Sequence, residues 1–153
     1  MIEITKTLLT FLSDSMGDFG FDKGQVSFTS MHPKDIHGTK QARVNLYLYH
    51  LRENPDIRNL DTRGNSEIHL LQSLSYYCLL TAYGNEEEFE SLLLLDNVRK
   101  LLFEKPFFES KSGEIVLNIS MDNQAPEFFT NLWQALQTPL RPSLNYVVRK
   151  QAK

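Results

Sequence analysis

The stretch LWQALQTPLRPSLNYVVR, residues 132–149, passes from a helix through a rigid corner into a strand. Its first half completes a helix predicted over 126–137. Pro139 and Pro142 then fix the direction of the backbone, because each proline ring holds φ near about −65°. Beyond them, apolar and polar residues alternate and predict a strand over 143–149. Such an ending suits an enzyme, and it also suits a subunit whose last strand lies at an interface.

Three segments upstream of the corner predict further strands of the same sheet. Over 43–51, Val44, Leu46, Leu48 and His50 alternate with Asn45, Tyr47 and Tyr49, and the β-branched and aromatic content favours a strand. The segment over 68–82 fits a helical stripe as well as an alternating pattern, and periodicity alone leaves both open. Its aromatic pair and its closing TAYG favour a strand. GEIVLNISM alternates over 113–121, and QVSFTSM is compatible with a short strand.

Two more helices are predicted, over 2–15 and 86–104. In the second, Asn85 can cap the N-terminus with Glu88 completing a capping box, and Pro106 stops the helix. Its inward stripe comprises Leu94, Leu95, Val98, Leu101 and Leu102, and its apolar face is widened by Leu92 and Leu93. The order of elements predicts an α+β fold in which a single mixed or antiparallel β-sheet packs against about three helices.

Composition predicts one soluble domain over residues 1–153. A chain of 153 residues with 41% hydrophobic and 23% charged residues is ordinary for a globular protein. The net charge of −3 gives no sign of a nucleic-acid partner. A lone cysteine, Cys78, excludes an internal disulfide. The start of the chain lacks the basic region of a signal peptide, and no apolar run approaches the roughly 20 residues that span a bilayer. We therefore expect cytoplasmic assembly and no membrane insertion.

No motif for catalysis or for a cofactor is present in the sequence. His32 and His37 share a loop with Asp35, but their spacing is not that of a metal-ligand pair, and a solvated loop is the simpler interpretation. There is no nucleophile elbow, phosphate loop or dinucleotide fingerprint. Arginines and carboxylates alternate along 52–63, which suits the polar rim of an interface better than a phosphate site. We expect no catalytic, metal-binding or cofactor-binding residue.

The segments VNLYLYHLRENPDIRN, LQSLSYYCLLTAYG and LWQALQTPLRPSLNYVVR occur in this order along the chain. Together they resemble the cap, or tail-terminator, proteins of phage-tail-like contractile injection systems of the antifeeding-prophage and virulence-cassette type. The matching positions are Asn54, Pro55, Arg58, Asn59, Tyr83, Gly84, Leu132, Trp133, Ala135, Leu136, Gln137, Pro139, Arg141 and Ser143. The resemblance covers about 42–149, implies a tail-terminator-like fold, and makes the ambiguous second segment a strand.

The resemblance implies a mechanical function. Such a cap forms a ring, expected to be hexameric, at the end of the tail opposite the baseplate. It terminates the inner tube and anchors the last sheath ring, so the implied partners are further copies of the chain and the tube and sheath proteins. Whether a second cap subunit also takes part is left open by the resemblance. The particle would be released or docked to a membrane. Some relatives continue past the last strand, whereas this sequence stops at Lys153. A tail-completion protein of a contractile phage is the alternative, and a small enzyme is less favoured.

The interface residues are expected on the polar loop over 52–63, the corner, the helix predicted over 86–104 and the basic end of the chain. They are Arg58, Leu92, Leu93, Pro139, Arg141, Pro142 and Arg149. Sheath subunits of such particles exchange strands, and a terminal strand with an unpaired edge can accept or donate such pairing. We therefore expect the last strand to lie near a subunit contact. Neither Arg141 nor Pro142 occupies an inward position of the predicted helix or strand, so we expect both to be replaceable without disturbing the core.

Overall fold

The computed structural model describes residues 2–22, 24–38, 41–54, 74–84 and 88–151. In this part of the chain the helices are α1 (Ile2–Ser15), α2 (Glu88–Glu104) and α3 (Pro126–Ala135). The strands are β1 (Val26–Thr29), β2 (Ala42–Glu53), β3 (Leu74–Tyr83), β4 (Phe107–Glu109), β5 (Val116–Met121) and β6 (Ser143–Gln151). Short 3₁₀ helices lie at Met16–Phe19 and Pro33–Asp35. The predicted α+β fold is confirmed.

All six strands form one mixed sheet in the order β1-β2-β3-β6-β5-β4. Only the β1–β2 pair is parallel among the described strands, and the other four pairs are antiparallel. The last strand, β6, lies in the middle of the sheet. It pairs with β3 from Ser143 to Arg149 and with β5 from Tyr146 to Gln151. Where these two ranges overlap, over 146–149, β6 is paired on both sides and offers no free edge for strand exchange.

The main core lies on the face of the sheet that α1 and α2 cover. The inward stripe predicted for α2 is buried, with Leu94 and Val98 fully inside, and α1 buries Leu8 and Leu12. They pack on alternate residues of the central strands, namely Val44, Leu46, Tyr76, Cys78, Leu80, Leu117, Ile119, Tyr146 and Val148. The alternation that predicted these strand faces thus describes one side of a continuous hydrophobic core.

The opposite face of the sheet carries α3. Trp133 and Leu136 are buried against Leu79, and Tyr47 and Phe129 pack at the edge of this smaller cluster. Leu79 lies between Cys78 and Leu80 in β3, so its side chain points away from the main core. The molecule therefore has three layers, with two helices, the sheet and one helix.

A β-bulge in β2 changes the predicted orientation of His50. The register with β3 shifts between Leu48 and His50, so that His50 lies opposite Tyr77. Their rings are 5.5 Å apart. Simple alternation placed His50 on the face of Val44. The extra residue at the bulge instead turns His50 to the face that α3 covers.

Several predicted boundaries shift in the structure. The segment predicted over 68–82, which was ambiguous between helix and strand, is a strand from Leu74. Residues 68–73 and the predicted capping residue Asn85 lie outside the described residues. The strand predicted from 113 begins at Val116, because a turn closed by the Gly113 N–H on the Ser110 carbonyl (2.8 Å) precedes it. The three-residue strand β4 was not predicted. No helix in the described residues is long and apolar enough to cross a bilayer.

Buried polar side chains join the strands to the segments that follow them. Asn145 accepts a hydrogen bond from the Tyr49 hydroxyl at 2.7 Å and donates to the Asp122 carboxylate at 2.9 Å. Burial raises the pKa of Tyr49 to about 12, so the hydroxyl stays protonated as a donor. Asn45 accepts from Thr29 and exchanges two hydrogen bonds with the backbone of Met31, all at 2.9 Å. These bonds satisfy side chains that would otherwise be costly to bury.

Candidate assembly interface

The corner after α3 is held by a helix-capping turn. Gln137 adopts a left-handed conformation with φ of 56°. Its N–H donates to the Gln134 carbonyl at 3.0 Å, and the Thr138 N–H donates to the Trp133 carbonyl at 3.4 Å. These two bonds have the pattern of a Schellman motif, usually built on glycine. The Trp133 indole N–H also donates to the Ser143 hydroxyl at 3.1 Å, which ties the helix to the first residue of β6.

Beyond this turn, the corner presents an apolar ridge to solvent and packs Arg141 inward. Pro139 and Pro142 are exposed, and Leu140 between them is 60% exposed. The guanidinium of Arg141 lies 4.4 Å from the centre of the Tyr83 ring, a cation–π contact. Arg141 therefore packs against the end of β3. That Arg141 and Pro142 can be replaced without disturbing the core stays a prediction.

A second apolar surface lies on the outer side of α2. Leu92 and Leu93 are 44% and 47% exposed, and Phe89 is 72% exposed. Residues three and four apart in a helix are neighbours, so these three side chains form one patch, here called the α2 patch. The sequence prediction missed Phe89, although its spacing from Leu92 and Leu93 carries the signal. The buried stripe of α2 faces the sheet, so the α2 patch points away from it.

Charged side chains bound the α2 patch toward the C-terminus of the helix. The Asp96 carboxylate lies 2.9 Å from Arg99 and 2.8 Å from Lys100. Hydrogen bonds from Lys100 and then Arg99 lower the pKa of this carboxyl. Phe103, 82% exposed, lies on the far side of this charged group. The apolar surface of α2 is therefore divided into the patch and a separate phenylalanine.

Arg149 lies at the other end of β6 from the corner. Its Nε donates to the Ser75 hydroxyl at 3.2 Å, and Nη1 donates to the Ser120 hydroxyl at 3.5 Å. Arg149 lies six positions after Ser143 along the strand, a distance of about 20 Å. The predicted interface residues thus occupy three surfaces, and Arg58 lies outside the described residues.

The histidine loop has an evident structural role. His32 caps the second 3₁₀ helix by accepting a hydrogen bond from the Lys34 N–H at 3.1 Å, and its ring meets the Tyr47 ring edge-on at 5.1 Å. Within the described ranges, no group of three or more His, Cys, Asp or Glu side chains is placed to hold a metal ion. The geometry assigns His32 to the turn.

Comparison with known proteins places this fold among tube-terminating proteins. A family model described as the Pvc16 N-terminal domain matches residues 3–150. The sheath/tube terminator of the PVC extracellular contractile injection system, solved in its extended state, has the same fold with a TM-score of 0.64 and 18% identity over the whole of this chain. The tube-terminating cap of the anti-feeding prophage aligns with a TM-score of 0.66 and 16% identity, again over the whole chain.

This chain spans 57% and 56% of the chains of those two proteins. No curated protein matches it significantly.

Proposed function

Because the chain belongs to the Pvc16 N-terminal domain family, we propose that it is a structural cap that terminates the inner tube of a contractile injection system. The observation that carries this proposal is the family match over residues 3–150, nearly the entire chain. The fold supports it, since two proteins described as tube terminators align with the whole of this chain at TM-scores above 0.6. The proposed role is mechanical and requires no catalytic residue.

We further propose that the chain forms a ring, expected to be hexameric, at the end of the tube opposite the baseplate. The α2 patch is the proposed contact between neighbouring copies. Phe89, Leu92 and Leu93 expose adjacent apolar side chains on the outside of a rigid helix, and subunit contacts are richer in apolar area than the remaining surface. The ridge of Pro139, Leu140 and Pro142 is the proposed contact with the tube or with the last sheath ring.

A ridge of this kind suits a terminator for a physical reason. The prolines and the capped helix end fix the corner, so little conformational entropy is lost when a partner packs against it. The ring would assemble in the cytoplasm on a completed tube, block addition of further tube rings and anchor the last sheath ring. A second cap subunit could share this end of the particle.

Deletion of the gene tests the proposal in a strain that makes the particles. We expect tubes of uncontrolled length that lack a stable sheath, because nothing then stops polymerisation or fastens the sheath. Electron micrographs before and after complementation with the intact gene give the tube-length distribution. Particles of normal length that keep their sheath after deletion would rule out the terminator function.

A further inference from the structure

One row of neighbouring side chains crosses the sheet at the end of β6 that is distant from the corner. Arg52 of β2 lies opposite Ser75 of β3, Ser75 lies opposite Arg149 of β6, and Arg149 lies opposite Asn118 of β5. These positions share the face that α3 covers, since Ser75 and Leu79 are an even number of residues apart in β3. The packing of α3 is centred on Leu79, four residues from this row. Both arginines are exposed.

The two arginines of this row have no carboxylate partner among the described residues. Arg149 donates two hydrogen bonds, to the uncharged hydroxyls of Ser75 and Ser120. A guanidinium has five N–H donors, so the others are free to bind elsewhere. Arg52 forms no ion pair with any residue of the described ranges. Two interstrand spacings separate the backbones of the arginines, a distance of about 10 Å.

The acidic groups that the structure describes on this face are distant from the row. Asp122, which follows β5, lies beside Asn145 and accepts hydrogen bonds from it and from Gln124. Asn145 is four residues from Arg149 along β6, a distance of about 13 Å. Glu109 of β4 lies two strands and one row away from Arg149, at about 12 Å by the same spacings. Glu53 pairs with Leu74, whose side chain belongs to the main core face.

We propose that this arginine row (Arg52, Ser75 and Arg149) docks a carboxylate-bearing segment of a neighbouring protein in the assembly. The paired donors of a guanidinium match the two oxygens of a carboxylate, and the Ser75 hydroxyl between the arginines adds a further donor. Within the part of the chain that the structure describes, the row is a local positive surface on a protein of net charge −3, so charge complementarity favours an acidic partner there.

Nucleic acid fits this surface poorly. Binding to a phosphate backbone requires many cationic contacts, whereas the row supplies two and the net charge of the chain repels a polyanion. An acidic peptide segment requires only a few matched carboxylates. The proposal rests on the proposed cap function only for the identity of the neighbour, a tube or sheath subunit, and the chemistry of the row stands without it.

The test uses the full chain and a fluorescein-labelled polyglutamate peptide, with binding followed by fluorescence anisotropy at low and high salt. Arg52→Gln combined with Arg149→Gln should weaken binding about tenfold or more, since each lost charge pair removes a charge-assisted contact. The matched control is Lys100→Gln combined with Lys111→Gln. It removes the same two positive charges from other surfaces and should change binding less than about twofold.

Unchanged binding by the double arginine variant would overturn the proposal, and so would an equal loss in the lysine control, which would indicate nonspecific attraction. Circular dichroism confirms that each variant is folded. The peptide assay requires neither a ring nor a tube, so failure of the cap function leaves its outcome unaffected. Conversely, a cap that terminates tubes normally with both arginines replaced, and that no longer binds polyglutamate, would place the docked segment outside tube termination.

Discussion

At the scale of single residues, Gln137 shows what the corner costs. It occupies a left-handed conformation with φ of 56°, which the capping turn after α3 requires and which glycine adopts without strain. Its side chain accepts a hydrogen bond from Lys34 at 3.0 Å on the exposed surface. Such an exposed bond contributes little, whereas a left-handed residue with a Cβ costs roughly 1–2 kcal/mol.

Gln137→Gly should therefore stabilise the protein by about 0.5–1 kcal/mol, the relieved strain being partly offset by the greater freedom of glycine in the unfolded chain. Urea unfolding of the variant and the wild type measures the difference. The control is Gln134→Gly, the same replacement three residues earlier inside the last turn of α3, which should destabilise by about 1 kcal/mol. Loss of stability in both variants would show that the left-handed turn is not strained.

The buried thiol of Cys78 makes the stability of the protein depend on pH in the alkaline range. Its thiol is buried beside the Tyr146 carbonyl, at 3.6 Å from sulfur to oxygen, and burial raises the pKa of the thiol to about 12 from an ordinary value of 9.0. The folded state therefore holds this proton more tightly than the unfolded state. The stability from this group is complete below pH 9.0 and is lost as the pH rises toward about 12.

Wild-type protein should lose about 1.4 kcal/mol of unfolding free energy through this thiol between pH 8 and pH 10. Cys78→Ala lacks the group, so its stability should fall by that much less over the same interval, although its stability at neutral pH is lower because of the cavity. Denaturant unfolding of both proteins at the two pH values checks the difference in slope. Parallel decline of the two proteins would mean that the thiol titrates alike in the folded and unfolded states.

At the scale of elements, periodicity and end signals predicted most of the architecture. The stripe of α2 and the alternating faces of β2, β3 and β6 are all local patterns, and the structure confirms them. The three-residue strand β4 was missed because it is too short to show alternation. The bulge in β2 was missed because no glycine marks it, and His50 changed faces as a result. Local patterns identify elements, and they do not record a one-residue slip.

The order of the strands could not be predicted from the sequence. The last strand in the chain, β6, inserts between β3 and β5 in the sheet. Strand order depends on contacts between distant residues, and no periodicity within β6 encodes them. In the structure, four consecutive residues of β6, 145–148, are buried. Such a run is typical of a strand covered on both faces, whereas an edge strand more often alternates.

The candidate interface was only partly predictable for a similar reason. Leu92 and Leu93 could be recognised as surface candidates because they lie beside the stripe of α2 that contacts the core and make its apolar face wider than that contact requires. Arg141 was expected at the surface, but its partner Tyr83 is 58 positions away in sequence and only the fold brings the two together. The arginine row could not be seen in the sequence, since it joins residues of three strands through their register.

At the scale of the whole molecule, the layers leave distinct surfaces for different partners. The sheet buries one face under α1 and α2 and part of the other under α3. The α2 patch points outward from the first layer. The ridge of Pro139, Leu140 and Pro142 lies at one end of β6, and the arginine row lies at the other end. A ring subunit that contacts its neighbours, a tube and a sheath needs such separate surfaces, because one patch cannot serve several partners at once.

The ring contact can be tested on the α2 patch alone. Leu92→Gln combined with Leu93→Gln keeps helix propensity and alters only half-exposed positions, so the free energy of unfolding of one subunit should change by no more than about 0.5 kcal/mol. Association between subunits should weaken at least about tenfold, since apolar anchors near the centre of a contact dominate its energy. Mass photometry over a range of protein concentrations measures the distribution of oligomers.

Phe103→Gln is the matched control, because it removes a larger and more exposed side chain from the same helix beyond the Asp96 ion pairs. It should leave association unchanged. Equal weakening by the control would show that any apolar loss on α2 matters, and unchanged association of the double variant would exclude the α2 patch as the ring contact.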